Sequence, residues 1–127
     1  MQEKHLFEYA IIRAVPRVER EEFVNIGVIL YCKKANFLKT RFYLNKEKIQ
    51  ALCQETDIEL LEKYIEALER IAAGDETAGP IAKLDLPSRF RWLTATRSTI
   101  LQTSKVHPGL CDDLGEMLDR LFEEMVG

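Results

Sequence analysis

The sequence has few cysteines, and they lie far apart. Its 127 residues contain Cys32, Cys53 and Cys111, with no C-x-x-C pair among them. Structural zinc sites need cysteine and histidine ligands at short, regular spacings. His107 and Cys111 are four residues apart but would supply only two of four ligands. We therefore expect no bound metal and three reduced thiols.

Signals for membranes, export and catalysis are also missing. No apolar run approaches the roughly 20 residues of a membrane-spanning helix, and the N-terminus has no signal-peptide pattern, which predicts a cytoplasmic protein. The chain has no Walker loop, dinucleotide fingerprint or nucleophile elbow. Ser98, His107 and Asp112 lie close in sequence, but a catalytic triad is defined by geometry. We expect no cofactor and favour a protein that is not an enzyme.

What the sequence does contain is enough apolar material for one core. Hydrophobic residues make up 46% and charged residues 31%, and the length suits a single domain over residues 1–127.

The net charge of -3 is the sum of opposing blocks. Residues 33–48 carry six basic groups against one acid, and residues 86–111 carry four basic groups and no acid. The pattern predicts an acidic helical side and a basic side.

Three strands are predicted near the N-terminus. Residues 6–15, 22–32 and 37–44 are rich in aromatic and β-branched side chains, and every second residue of the second segment from Val24 to Cys32 is apolar. Short polar turns separate them, which predicts an antiparallel meander. Gly27 within the second strand suggests a bulge or the close approach of another group.

The rest of the chain predicts mostly helices. A short helix follows Asn45, and a capping box formed by Thr56 and Glu59 opens a longer amphipathic one that ends near Gly74. Residues 74–88 are predicted to form a loop, and residues 89–93 fit either a helical turn or an extended edge. A strand is predicted at residues 99–103, a turn at Pro108-Gly109, and a last helix capped by Asp112 or Asp113.

This order of elements predicts the fold class. Strands and helices are segregated along the chain, which favours an α+β fold. We expect an antiparallel sheet, built from the three-strand meander plus the later strand, that is covered on one face by amphipathic helices.

One candidate binding segment interleaves arginines with aromatic rings. In the sequence Arg89-Phe90-Arg91-Trp92, and in Arg97-Ser98 after it, guanidinium groups and rings could bind phosphate, stack bases or dock a partner protein. We expect Arg91, Trp92, Arg97 and Gln102 to form an exposed patch if the segment docks a partner. The alternative is structural, with the rings in the core and the arginines paired to acidic helices.

A second candidate lies on the meander. Arg13 is a charged residue within an apolar strand, so it needs either an acidic side chain or a bound anion as its partner. Asn25 and Arg41 would share the sheet with it. A phosphate site would bring Asn25 and Arg41 together with the later residues Arg97, Ser98 and His107.

The order of several motifs resembles that of a known family. The motifs are YAIIR at residues 9–13, EFVN-G at 22–27, the Arg41-Phe42 pair and WLT-x-x-RST at 92–99, followed by the closing helix. In this order they resemble, over the full length, an uncharacterised bacterial family catalogued as domain of unknown function 3037 (DUF3037). The resemblance implies no known activity or catalytic residue. It implies a partner protein, a HipA-like kinase, because genes of the family lie beside genes for such kinases.

Two functions therefore remain open on the sequence. The first is a small, non-catalytic protein-interaction module with a HipA-like kinase as its partner. The second is a phosphate-, nucleotide- or nucleic-acid-binding protein, or an enzyme, that uses a basic Arg/Ser/His site. A homo-oligomer is compatible with either function, and a membrane partner is not expected.

Overall fold

The apolar segment near the N-terminus forms the central strand of a five-stranded antiparallel sheet. In the computed structural model, which describes residues 4–95 and 99–126, this strand is β1 (His5–Ala14). β2 (Val24–Cys32) pairs with one side of β1, and β3 (Phe37–Phe42) pairs with β2. The predicted antiparallel meander is confirmed.

Two short strands share the other side of β1. β4 (Leu101–Thr103) pairs with its C-terminal half, and β5 (His107–Cys111) pairs with its N-terminal half. The predicted later strand is thus confirmed as β4. The turn predicted at Pro108-Gly109 is wrong, because both residues lie inside β5.

The edge position of β5 explains how it accommodates a proline. The Ser104 N–H donates to the Ile11 carbonyl at 2.8 Å, so the odd-numbered residues of β1 direct their backbone groups towards β4 and β5. Their partners in β5 are His107, Gly109 and Cys111. Pro108 therefore faces away from the ladder, where a missing N–H removes no bond.

A buried serine joins β4 to β5. One extra residue lies between the two strands relative to β1, so the backbone ladder is interrupted there. The Ser104 hydroxyl accepts a hydrogen bond from the Ile11 N–H at 2.8 Å and donates one to the Lys105 carbonyl at 2.9 Å. This hydroxyl takes the place of a backbone carbonyl in the ladder.

The longest helix starts at a different cap from the one predicted. α2 (Ile58–Ala72) is capped by Asp57, whose carboxylate accepts a hydrogen bond from the Leu60 N–H at 3.0 Å. The Thr56 hydroxyl instead donates to the Cys53 carbonyl at 2.6 Å. The capping box predicted to start at Thr56 is therefore wrong, because the aspartate one residue later performs the capping.

Three further helices complete the fold. They are α1 (Lys46–Leu52), α3 (Leu86–Leu93) and α4 (Leu114–Met125). α3 resolves the ambiguous segment after residue 88 as helical. It starts earlier than the sequence indicated because Asp85 caps it and Pro87 occupies its first turn, where a proline is tolerated. Short 3-10 turns occur at Val18–Arg20, Glu76–Ala78 and Pro80–Lys83.

The helices lie on both faces of the sheet. Ile12 and Ile29 pack with buried residues of α1, α2 and α3, whereas Ile11 and Val28 pack with the apolar side of α4. The α+β class and the antiparallel sheet are confirmed, but the expectation that helices cover one face is not met. The reason is that β2 is apolar at successive positions, so both of its faces need cover.

Gly27 lies beside a bulge, as its place in the strand suggested. The register between β1 and β2 shifts at Ile12/Arg13, which leaves Ile26 as the extra residue of β2. A Cβ atom on Gly27 would lie 2.5 Å from the Phe42 ring and 2.9 Å from the Arg41 carbonyl oxygen. The bulge and the close approach are both confirmed.

Candidate functional site

β3 forms an open edge of the sheet. It pairs with β2 and with no other described strand. The Tyr43 N–H donates to the Ile26 carbonyl at 2.8 Å, which fixes the alternation of backbone groups along β3. Leu38 and Thr40 therefore direct their N–H and C=O groups away from β2. Within residues 4–95 and 99–126 these outward groups have no hydrogen-bond partner, so the edge can accept another strand.

A cleft of about 580 Å³ runs along this edge. The last turn of α2 forms its far wall through Glu69, Ala72 and Ala73, and α3 closes it with Leu86 and Arg89. The two alanines have short side chains, which leave space between the helix and the strand. The cleft is therefore bounded by open backbone groups on one side and by small side chains on the other.

Arg89 is one of two cationic residues, with Lys39, among the described residues that line the cleft. Its Nη1 donates to the Leu84 carbonyl at 2.8 Å, and its guanidinium lies against Gly74, where a Cβ atom would be 3.4 Å away. The Nε of Arg89 is buried and has no hydrogen-bond partner in the described part of the chain. Glu69 is the acidic residue among those that line the cleft.

The strand edge is also basic. Lys33, Lys34 and Lys39 are exposed, and the Lys39 ammonium lies 5.3 Å from the Phe37 ring centroid. None of the three lysines forms an ion pair with a residue that the structure describes. These charges would attract an acidic segment rather than a basic one.

Two of the predicted site residues hold α4 against the sheet. Arg41 donates to the Asp119 carboxylate at 2.7 Å, and its guanidinium lies 4.3 Å from the Phe122 ring centroid. The Asn25 side-chain amide donates to the Met125 carbonyl at 3.1 Å. Both side chains are engaged in contacts within the fold.

Arg91 and Trp92 lie near the end of α3. Arg91 forms two hydrogen bonds with the Glu8 carboxylate, at 3.2 and 3.3 Å, and its side chain stays exposed. Trp92 is 39% exposed and lines, with Tyr64, a second groove of about 250 Å³ between α2 and α3. The structural alternative thus applies to Arg91, although its acidic partner is on a strand rather than a helix.

The remaining predicted residues are dispersed. Gln102 is the register partner of Arg13 on the α4 face, so it does not join Arg91 and Trp92 on the opposite face. The His107 ring lies 5.5 Å from that of Tyr9. Three strand spacings, or roughly 14 Å, separate the strand of His107 from that of Arg41. Arg97 and Ser98 lie outside the described residues.

Comparison with known protein families identifies the family of the chain. The family model described as "Protein of unknown function (DUF3037)" matches residues 9–126. The chain belongs to this family. No curated protein and no solved structure matches the chain.

The motifs of this DUF3037 chain lie on the central part of the sheet and on α3. YAIIR is part of β1, EFVN-G enters β2 at the bulge, and the Arg41-Phe42 pair ends β3. Phe42 covers Gly27, and Arg41 holds α4. The Arg41-Phe42 pair therefore specifies packing contacts of the DUF3037 fold.

Apart from Arg89, which belongs to the candidate segment Arg89-Phe90-Arg91-Trp92, the residues of the β3 cleft are not predicted as a site from the sequence. Leu38 and Thr40 were expected in a strand, but nothing in the sequence of the DUF3037 chain indicates that β3 is an edge. Glu69, Ala72 and Arg89 come close to it only through the packing of α2 and α3 on the sheet. The available signal was the basic block at residues 33–48, which surrounds this edge.

Two further observations concern the described part of the chain. It contains no group of three or more His, Cys, Asp or Glu residues that could hold a metal ion. None of its helices has the length and apolar character needed to cross a membrane.

Proposed function

We propose that the chain is a protein-interaction module that binds an extended, acidic segment of a partner protein in the cleft between β3 and α2. The observation that carries the proposal is the open edge of β3 beside that cleft. Addition of a strand to an open sheet edge is a general mode of peptide recognition, in which backbone hydrogen bonds supply much of the affinity.

The alternation along β3 supports this mode. Leu38 and Thr40 each offer one N–H and one C=O group to an incoming strand. Successive side chains of that strand would point to opposite faces of the sheet. One set would contact Ala72, Ala73 and Leu86 in the cleft, and the other would point away from the cleft.

The charges support an acidic segment. An incoming strand would lie close to Arg89, and to Lys39 on the edge itself. Glu69 would repel an acidic side chain of the segment that came close to the helix wall. An acidic side chain near Arg89 would meet a guanidinium whose Nε has no partner among the described residues.

The partner we propose is a HipA-like kinase. This choice rests on the family resemblance and the gene neighbourhood that it implies. The role requires no catalytic residue in the chain itself. A binding module beside an enzyme would act by controlling the position or the access of the kinase.

Removal of one backbone N–H tests whether the partner binds by strand addition. Thr40→Pro removes the outward N–H of Thr40, which has no partner in the described residues, and a proline on an edge strand can be accommodated. Thr40→Val keeps the N–H and the branched shape and is the matched control. Titration calorimetry with a HipA-like kinase from the same genome should show about a tenfold loss of affinity for Thr40→Pro and little change for Thr40→Val.

Two results would count against the proposal in different ways. Equal affinities of Thr40→Pro and wild type, with both proteins folded by circular dichroism, would exclude strand addition at β3. Absence of kinase binding by the wild type would exclude that partner. The cleft would then be tested with acidic peptides selected from a display library, whose binding must be lost in Thr40→Pro.

A further inference from the structure

Arg13 lies at the centre of the sheet, on the face that α4 covers only in part. It is half-buried in β1, with Asn25 of β2 and Gln102 of β4 as its register partners. α4 packs mainly on β2 and β3. The guanidinium of Arg13 therefore lies beside the helix rather than beneath it.

Within residues 4–95 and 99–126 this arginine has no anionic partner. Its Nε is buried without a hydrogen-bond acceptor, and it forms no ion pair with any residue of 4–95 or 99–126. Glu22, which precedes Phe23 in the sequence, pairs with Arg20 instead. The contact that Arg13 does form is with Phe23, whose ring centroid lies 4.1 Å from the guanidinium carbon. A buried donor without an acceptor calls for an explanation.

A cavity lies against this guanidinium. Its volume is about 300 Å³, which is enough for a small organic anion or the end of a peptide. Phe23, which is 45% exposed, forms one wall of the cavity and contacts the guanidinium through a cation–π interaction. The other lining residues are Val15, Val18, Glu21 and Gln102.

We infer that this cavity binds a carboxylate group through Arg13. The planar guanidinium offers two parallel N–H donors that match the two oxygens of a carboxylate. Among the described residues that line the cavity, Arg13 is the cationic one and Glu21 the acidic one. This charge balance suits a monoanion and disfavours a phosphate dianion, which would face Glu21 with one arginine to neutralise it.

The carboxylate could belong to a small metabolite or to a peptide, and the recognition chemistry is the same. The site is separate from the β3 cleft. Arg13 lies on the central strand and on the α4 face, whereas the cleft lies at the β3 edge beside α2. Thr40→Pro should therefore weaken partner binding at the β3 cleft but leave carboxylate binding at Arg13 unchanged.

The Nε–H signal of Arg13 in ¹H–¹⁵N NMR spectra reports directly on this site. The wild-type protein would be titrated with sodium acetate, sodium chloride and sodium phosphate at constant ionic strength. We expect acetate to shift the Arg13 signal saturably and more strongly than phosphate or chloride does. The signal of Arg41, which already pairs with Asp119, is the internal control and should move little.

Variants and short peptides complete the test. Arg13→Lys keeps the charge but loses the planar fork, and should weaken acetate binding about tenfold, as read from backbone amide shifts of Phe23 and Gln102. Triglycine with a free C-terminus should bind, and its C-terminal amide should not. An amidated peptide with one internal aspartate then separates a terminal carboxylate from a side-chain one.

Three outcomes would overturn the inference. The first is a shift that does not saturate with acetate, which would mean that the cavity holds only water. The second is tighter binding of phosphate than of acetate. The third is equal acetate binding by the wild type and by Arg13→Lys, provided that both spectra are those of a folded protein.

Discussion

The guanidinium of Arg41 joins the Asp119 carboxylate at 2.7 Å while lying over the Phe122 ring, so one side chain of β3 contacts α4 in two ways. The ion pair is largely exposed, at 41% and 63% of the two side chains, and is expected to contribute less than about 1 kcal/mol. The contact of the guanidinium with the Phe122 ring adds a second stabilising interaction, which is better shielded from water.

Arg41→Ala should therefore destabilise the protein more than Asp119→Ala does. We expect about 1–2 kcal/mol for Arg41→Ala and under about 1 kcal/mol for Asp119→Ala in urea unfolding. Arg120→Ala, which breaks the more exposed pair with Glu124, is the control and should change stability little. Equal losses for Arg41→Ala and Asp119→Ala would show that the contact with Phe122 adds nothing.

Ser104→Ala should weaken the junction between β4 and β5. The substitution leaves the buried Ile11 N–H without its acceptor, which should cost about 1–3 kcal/mol in the free energy of unfolding. Thr103→Ala removes a longer, partly buried bond to the Thr94 carbonyl at 3.3 Å and should cost less. Denaturant unfolding of both variants measures the difference, and a smaller loss for Ser104→Ala would contradict the bridging role.

Gly27→Ala and Gly115→Ala should change stability in opposite directions. At Gly27 a methyl group would collide with the Phe42 ring and the Arg41 carbonyl, which should destabilise the protein by about 1–3 kcal/mol. At Gly115, in the first turn of α4, the nearest atom would be 3.4 Å away, and the higher helix propensity of alanine should stabilise slightly. Thermal unfolding distinguishes the two, and tolerance of Gly27→Ala would contradict the close approach.

Asp75 should contribute to the loss of stability in acid. Hydrogen bonds from the Thr77 hydroxyl and from Arg70 lower its pKa from 3.8 to about 2. The ionised form is thus favoured in the folded state. Its contribution is fully present above pH 3.8 and is lost as the pH falls through about 2.

Asp75→Asn should therefore flatten the dependence of unfolding free energy on pH over this acidic range. Asp112→Asn is the control, because the Asp112 side chain forms no hydrogen bond or ion pair with a described residue. An unchanged pH profile in Asp75→Asn would show that folding does not lower the pKa of Asp75.

Local patterns were sufficient to predict much of the fold. The helical stripes of α2 and α4 reflect burial of one face of each helix, so they can be predicted from spacing alone. The apolar residues at every second position of β2 also predict a strand, although both faces of β2 are buried in the fold. Pro108-Gly109 misled because the same dipeptide suits a turn and an edge strand, and only pairing with β1 decides between them. The apolar residues on both faces of β2 explain why helices cover both faces of the sheet. The position of α4, however, depends on contacts distant in sequence.

The candidate sites depended still more on distant contacts. Arg91 pairs with Glu8, 83 residues away, and no local pattern indicates that partner. The need of Arg13 for a partner could be predicted from its place in an apolar strand, whereas the absence of an ion pair with any described residue could not. The β3 cleft exists because β1 receives β4 and β5 on its far side, which leaves β3 at the edge.

Amide hydrogen exchange at β3 tests strand addition most directly. The exchange rates of the Leu38 and Thr40 amides would be measured for the protein alone and in complex with the HipA-like kinase. Strand addition predicts that both rates fall about tenfold or more in the complex, because hydrogen-bonded amides are protected. Unchanged rates at both amides in a saturated complex would contradict the proposal.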